Sequence, residues 1–320
     1  MRKYRYALGM IALLCLLAVT LQPSFLSFSN LMNIIRQASV LLLLSLGLTG
    51  VILAGHIDLS VGSVAALTGC VCAKMMVSGY PIPQAILCSL LIGIICGLVN
   101  GLLVGLLSLP SFVSSYGVNM LVSGLALMVM NGGVIYDLPT GFTRLGIGYL
   151  GIFPVPVILA AVLYLLLCFL WNRTTYGRQV YMTGQNALAA VYSGSNQLKI
   201  LICSFILSGF CGSIGGIVMT ARLNAADAGM CDAYGLQIVA AVVVGGTSLL
   251  GGEGGVTGTV LGSLILTLII NIMNMNGVDS AWQNLVLGVI IIWTGARNFR
   301  IAGGFIDRIR NRLPKRPTEV

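Results

Sequence analysis

The side chains with the strongest chemical character lie in one short interruption of an apolar run, residues 55–63, with the sequence GHIDLSVGS. We call this stretch the first break. It brings together His56, Asp58, Ser60 and Ser63. An acid, an imidazole and hydroxyls at this spacing suit proton transfer, binding of a polar solute, or capping of the helix that follows. Ionisable groups inside apolar segments indicate a functional site by default.

The sequence holds no recognisable catalytic or metal-binding constellation. A single His excludes paired-His metal motifs, and most of the nine Cys residues lie in apolar stretches, where Cys behaves as a small hydrophobe. The Gly-rich run at 251–255, GGEGG, lacks the Lys of a phosphate-binding loop. We therefore predict that the chain is not an enzyme, that it binds neither a cofactor nor a metal, and that any ATP is hydrolysed by another chain.

Composition places the chain in a membrane. Hydrophobic residues make up 58% and charged residues 8% of the 320 positions, against roughly 25% charged residues in a soluble domain. The apolar runs are continuous rather than alternating, which excludes a β-barrel. At about 20 residues per span, the sequence predicts an all-α polytopic membrane protein with about ten transmembrane helices in a single domain over residues 1–320. The predicted spans are 7–27, 33–54, 61–78, 83–107, 112–132, 153–171, 200–221, 236–250, 256–275 and 281–297.

The basic residues give these spans an orientation. Lys and Arg concentrate on the cytoplasmic side of membrane proteins, and ten spans put thirteen of the 17 on one side, including a basic tail at 300–320. Both termini are therefore predicted to be cytoplasmic. The net charge of +9 follows from this arrangement and does not indicate binding to nucleic acid. The acids predicted to lie on the outer side are Asp137, Asp227, Asp232 and Asp279.

A second interruption, residues 245–255 with the sequence GGTSLLGGEGG, repeats the pattern of the first break. We call it the second break. Each follows an apolar strip, carries one acid, Asp58 or Glu253, and precedes another apolar helix. Paired broken helices indicate a transport site between two structural repeats. We therefore predict two weakly related halves, with polar helix residues such as Asn119 and Asn271 as candidates for lining a pathway.

Several stretches, in order along nearly the whole chain, resemble the membrane subunits, or permeases, of the ribose/xylose/arabinose/galactose class of bacterial ATP-binding cassette (ABC) importers. They are 55–69, 175–194, 240–252 and 277–283, with Asn30, Leu31, Asn33 and Ile34 near the start. The resemblance implies a bacterial inner-membrane protein that pairs with a second permease subunit, identical or different. It also implies a cytoplasmic ATPase, and a periplasmic binding protein that delivers a sugar. Each such permease presents a short cytoplasmic coupling helix to the ATPase.

The segment 172–199 fits that coupling role, because it is the only sizeable cytoplasmic loop between predicted spans. Asn186 is suited to cap a short helix, residues 187–192 follow it, and Gly194 is suited to end it in a left-handed conformation. An exposed apolar surface on this helix needs a groove in a partner. The predicted ATPase-coupling residues are Gly184, Asn186, Leu188, Ala190, Val191, Tyr192 and Gly194.

The chain departs from the family pattern at two places. Ala187 and Leu188 stand where acids are common, and Val191 stands where an Arg is common, which argues against docking by charge. His56 stands where Gly is usual. Two roles fit Asp58: a cap that accepts N–H bonds at the start of the next helix, or a polar gate on the pathway.

Three functions remain open from the sequence. The first is a permease subunit of an ABC importer for a monosaccharide or related polyol. The second is an importer permease of the neighbouring class, for branched-chain amino acids or nucleosides. The third is a secondary transporter coupled to protons through Asp58 or His56.

Overall fold

The computed structural model describes residues 5–298, with side chains through residue 295, and nearly all of this part of the chain is helical. The predicted basic tail at 300–320 lies outside the described residues. The helices are α1 Arg5–Leu21, α2 Phe28–Leu53, α3 Val61–Val77, α4 Ile82–Gly105, α5 Ser111–Met130, α6 Thr140–Ile147, α7 Val155–Arg173, α8 Thr175–Gln185, α9 Ala187–Tyr192, α10 Gln197–Leu223, α11 Tyr234–Val244, α12 Val256–Met275 and α13 Ser280–Asn298.

Ten of these helices correspond to the predicted spans. Six are long and apolar enough to cross a membrane, namely α2, α4, α5, α7, α10 and α12, and four shorter apolar helices are α1, α3, α11 and α13. The prediction of an all-α polytopic membrane protein is confirmed. The first span is shorter than predicted, because α1 ends at Leu21 and a separate 3-10 turn follows at Pro23–Leu26. Proline lacks the N–H that would continue a helix.

Successive spans alternate between two ends of the bundle. Tyr181 of α8 donates a hydrogen bond to the Gly254 carbonyl just before α12, at 3.2 Å. Arg36, near the start of α2, donates to the carbonyl of Ile147, the last residue of α6, at 3.2 Å. We call the end that carries α8 and α9 the α9 end, and the opposite end the α6 end.

The core is built on α2 and α10. Residues 43–53 of α2 are buried without interruption, as expected of a helix that is apolar on every side. Between α4 and α10 the backbones come very close, because a Cβ atom added at Gly93 would lie 2.6 Å from the Gly209 carbonyl oxygen. Small residues permit such close packing of membrane helices.

Short strands fasten the connections at the α6 end. Strand β1, Ile135–Tyr136, pairs antiparallel with β4, Ala225–Ala226, which follows α10. Strands β2, Tyr149–Leu150, and β3, Phe153–Pro154, form a second pair before α7. Between β1 and β2, α6 buries Phe142 completely. The connection between α5 and α7 is therefore folded onto the end of the bundle.

Candidate functional site

The first break separates α2 from α3, as predicted, and Asp58 is buried in it, with 2% of its surface exposed. One carboxylate oxygen of Asp58 accepts a hydrogen bond from the Ser60 backbone N–H at 2.9 Å and another from the Ser60 hydroxyl at 2.6 Å. Ser60 occupies the position just before α3. This local geometry is that of a side chain that fixes the start of the next helix.

The network around Asp58 extends across three further helices. Its second oxygen accepts a hydrogen bond from Ser208 of α10 at 2.7 Å. The Asn100 amide of α4 donates to the Ser60 hydroxyl at 2.8 Å, and Ser114 of α5 donates to Asn100 at 3.3 Å. Both carboxylate oxygens are therefore occupied by protein donors, and the network joins α3, α4, α5 and α10.

The backbone of the first break is satisfied by α5. The N–H of Ile57 donates to the Ser111 hydroxyl at 3.2 Å, and the hydroxyl of Ser115 donates to the Ile57 carbonyl at 3.3 Å. Non-helical backbone at membrane depth requires such partners inside the protein. The serines at the start of α5 therefore permit the helix to be interrupted here.

His56 lies apart from this network. It lines an open pocket of about 520 Å³ together with Ser108, Ser111, Gln197 and Leu198, between the first break and the starts of α5 and α10. Because α10 begins immediately after α9, this pocket is at the α9 end. The imidazole therefore faces the α9 end of the bundle, not the carboxylate of Asp58.

The second break is also present, between Val244 of α11 and Val256 of α12, and it touches the first. The Gly252 N–H donates to the carbonyl of Leu53, the last residue of α2, at 2.9 Å. A Cβ atom added at Gly251 would lie 2.7 Å from the Cα atom of Gly55. The two breaks therefore meet at the α9 end. Whether the two halves are structural repeats stays a prediction.

The end of α8 completes this contact. A Cβ atom at Gly184 would clash with the Leu53 carbonyl oxygen and lie 2.5 Å from the Gly252 nitrogen. The Gln185 amide donates to the Gly252 carbonyl at 3.2 Å. We call Gly55, Gly184 and Gly251, one from each segment, the glycine junction. The sequence analysis missed α8 itself, although Thr174 signals it by accepting a hydrogen bond from the Gly177 N–H at 3.1 Å, as an N-cap does.

The predicted short helix is present as α9, with the predicted bounds. The Asn186 side chain caps it by accepting a hydrogen bond from the Ala189 N–H at 3.1 Å, and Gly194 follows it with a φ of +81°. Leu188 is 71% and Tyr192 89% exposed, and Val191 is also exposed. Ala190 is fully buried, so it packs α9 against its own chain and presents no surface to a partner.

The remaining candidates for the pathway separate into two places. Ser63 of α3 and Asn119 of α5 line one cavity of about 220 Å³. Asn271 of α12 is instead paired with Asn30 at the start of α2, where each amide donates to the other, at 2.9 and 3.3 Å. Asn271 therefore joins two helices at the α6 end and does not share a cavity with Asn119.

Asp232 also lines this cavity, together with Ser63 in the first turn of α3, and the sequence analysis did not anticipate this. That Asp232 lies on the outer side of the membrane stays a prediction. Asp232 lies two positions before α11, which has only 11 residues and is about 16 Å long.

Comparison with known proteins places this arrangement in a family. Residues 30–294 match the family model described as branched-chain amino acid transport system / permease component. The chain is 38% identical over 294 residues to the ribose import permease protein RbsC of Escherichia coli K12, covering 89% of this chain and 90% of that protein. It is 36% identical over 288 residues to RbsC of Haemophilus influenzae, covering 88% and 89%.

A further relative is the D-allose transport system permease protein AlsC of E. coli K12, 35% identical over 272 residues, which cover 84% of this chain and 82% of that protein. No solved structure matches the chain. The extent and the identity of the matches agree with the resemblance drawn from the motifs. The chain therefore belongs to the family of ABC importer permeases, the membrane subunits that carry a solute across the bilayer.

Proposed function

We propose that this protein is a permease subunit of an ABC importer that carries a monosaccharide or related polyol into the bacterial cytoplasm. The substrate class rests on the ribose and D-allose named for its relatives. The observation that carries the mechanism is the glycine junction, where the end of α8 contacts both breaks. A displacement of α9 by an ATPase is thereby passed to α2, α3, α11 and α12 together.

The proposed partners occupy opposite ends of the bundle. A separate cytoplasmic ATPase with its own nucleotide sites holds α9 in an apolar groove, through Leu188, Val191 and Tyr192, as a helix docks in a groove. A periplasmic sugar-binding protein docks at the α6 end. A second permease subunit, identical or different, completes the pathway, and residues 1–320 act as one permease domain surrounded by lipid.

The proposed orientation puts the α9 end in the cytoplasm of an inner-membrane protein. Arg173, Arg178 and Lys199 lie in or beside α8 and α9, whereas Arg36, Lys74, Arg144 and Arg222 lie at the α6 end. The remaining ten basic residues belong to the two ends of the sequence, and with them on the side of the α9 end the proposed orientation agrees with the positive-inside rule. With ten alternating spans, this orientation corresponds to both termini in the cytoplasm.

Two other functions compete with this proposal. The description of the matching family model favours import of branched-chain amino acids. The names of the similar ribose and D-allose permeases argue against it. Proton-coupled secondary transport requires a carboxylate that exchanges protons with the pathway. Asp58 does not suit that role, because both of its oxygens accept hydrogen bonds from buried serines.

Reconstitution into lipid vesicles tests the proposal. With the cognate ATPase, binding protein and ATP, we expect vesicles to accumulate labelled D-ribose but not L-leucine. This uptake of D-ribose is expected to continue when a protonophore collapses the proton gradient. The permease alone is expected to accumulate neither solute. Accumulation of D-ribose by the permease alone, or its loss on addition of protonophore while ATP is maintained, would contradict the proposal.

If the ATPase docks on α9, a charge placed on the apolar surface of α9 weakens binding of the ATPase, whereas a charge elsewhere does not. In Leu188→Asp we expect co-purification of the ATPase to fall at least about ten-fold, because a carboxylate then enters an apolar groove without a partner. Leu150→Asp is the matched control, since Leu150 is 70% exposed but lies at the α6 end. Equal binding of the ATPase by the two variants would exclude α9 as the docking helix.

A further inference from the structure

A cavity between α3, α5 and the turn before α11 has the chemistry of a site for a small hydroxylated solute. Its volume is about 220 Å³, below the roughly 300–1,000 Å³ of pockets for drug-sized molecules. The polar and aromatic side chains that line it are Ser63, Tyr116, Asn119, Ser123 and Asp232. We call it the α5 pocket.

The α5 pocket lies partway along α5. Asn119 is eight residues into α5, or about 12 Å along the helix. On the opposite wall, residues 227–233 are non-helical backbone between β4 and the start of α11. The Cys231 carbonyl oxygen lies 3.3 Å from the position of a Cβ atom on Gly62, in the first turn of α3. The segment therefore reaches from the α6 end to the first turn of α3.

Lipid is an unfavourable environment for this pocket. Non-helical backbone is tolerated at membrane depth only where protein or a water-filled cavity surrounds it, and a carboxylate such as Asp232 is costly in hydrocarbon. Both Asp232 and Tyr116 are exposed at the surface of this subunit. The face of α5 that carries the pocket is therefore suited to water or to another protein, not to lipid.

The amide and hydroxyl of the pocket are available to a solute. Within the described part of the chain, the side chains of Asn119 and Ser123 make no hydrogen bond to the protein, and both are partly exposed. This distinguishes them from Asn100 and Ser114, which are buried in the Asp58 network. An amide offers two donors and a carbonyl acceptor, and a carboxylate offers acceptors only.

We propose that the α5 pocket binds the hydroxyl groups of the solute as it crosses the membrane. Asn119 and Ser123 on one wall and Asp232 on the other exchange hydrogen bonds with these hydroxyls, and the ring of Tyr116 covers the apolar C–H side of the solute. The negative charge of Asp232 discriminates against anionic solutes. Few contacts are made, because a pathway must release what it binds. This inference rests on the proposed function and assigns it a location.

The test measures uptake of labelled D-ribose by the complete importer in vesicles, together with ATP hydrolysis stimulated by the ribose-loaded binding protein. In Asn119→Leu we expect the maximal rate of uptake to fall at least about ten-fold, since a contact with a solute hydroxyl is lost, while stimulated hydrolysis is retained. Met120→Leu is the matched control, because it places the same side chain one position along the same helix, at an exposed residue, and we expect it to transport normally.

Ser123→Ala and Asp232→Asn supply independent variants if Asn119→Leu assembles poorly. We expect both to reduce uptake of D-ribose more than uptake of 2-deoxy-D-ribose, which lacks one hydroxyl group. Normal rates and unchanged preference in all three variants would overturn the α5 pocket while leaving the proposed function intact. Failure of the unmodified importer to take up D-ribose would instead contradict the proposed substrate class.

Discussion

Asp58→Ala is expected to lower the amount of folded permease in the membrane at least about five-fold. The variant removes the carboxylate that accepts three hydrogen bonds. The buried hydroxyls of Ser60 and Ser208 then lose this acceptor. Buried hydrogen bonds to a charged group contribute about 1.5–3 kcal/mol each, and unsatisfied partners add to the loss. A loss of even about 1–2 kcal/mol changes abundance several-fold in cells. Immunoblotting of membranes and thermal unfolding in detergent measure the effect.

Ser208→Ala is the graded control for Asp58, because it removes one of the three bonds and keeps the carboxylate. We expect its abundance to lie between those of the unmodified protein and Asp58→Ala. The alternative role for Asp58, a gate on the pathway, makes a different prediction. Normal abundance of Asp58→Ala with abolished uptake would favour the gate over the structural role.

Gly184→Ala is expected to reduce uptake of D-ribose by the complete importer at least about ten-fold. The added methyl group would meet the Leu53 carbonyl oxygen and the Gly252 backbone nitrogen, and neither backbone can move without displacing a break. Overpacking of this kind typically costs about 1–3 kcal/mol and here separates α8 from α2 and the second break. Uptake and stimulated ATP hydrolysis in the complete importer measure whether transport and hydrolysis become uncoupled.

Gly288→Ala is the matched control for Gly184, because Gly288 is also a helical glycine but, among the described residues, no atom beyond its own stretch of helix lies within 4 Å of the added carbon. We expect it to transport normally. Uptake by Gly184→Ala equal to that of Gly288→Ala would show that close contact at the glycine junction is not needed for transport.

Features governed by nearby residues were predictable from the sequence. The two breaks are marked by clustered Gly and polar residues, and both appear where predicted. The helix α9 is specified by Asn186 before its six residues and by Gly194 shortly after them, through hydrogen bonds within the same segment. The number and type of spans follow in the same way, because each span is a continuous apolar run.

Features that depend on distant residues were not predictable. The Asp58 network needs Ser208, which lies 150 residues away along the chain, and Asn271 is held by Asn30 across a separation of 241 residues. The place of Asp232 in the α5 pocket depends on the contact of residues 227–233 with the first turn of α3. In each case the partner is chosen by the packing of helices, which periodicity does not report.

The pairing of β1 with β4 couples the α6 end of the permease mechanically to the segment that carries Asp232. Ala226 of β4 is paired with Ile135 of β1, and it lies six positions before Asp232 in the sequence. In the proposed arrangement, a binding protein that displaces the β1–β4 pair at the α6 end would therefore also displace Asp232 and the wall of the α5 pocket that carries it.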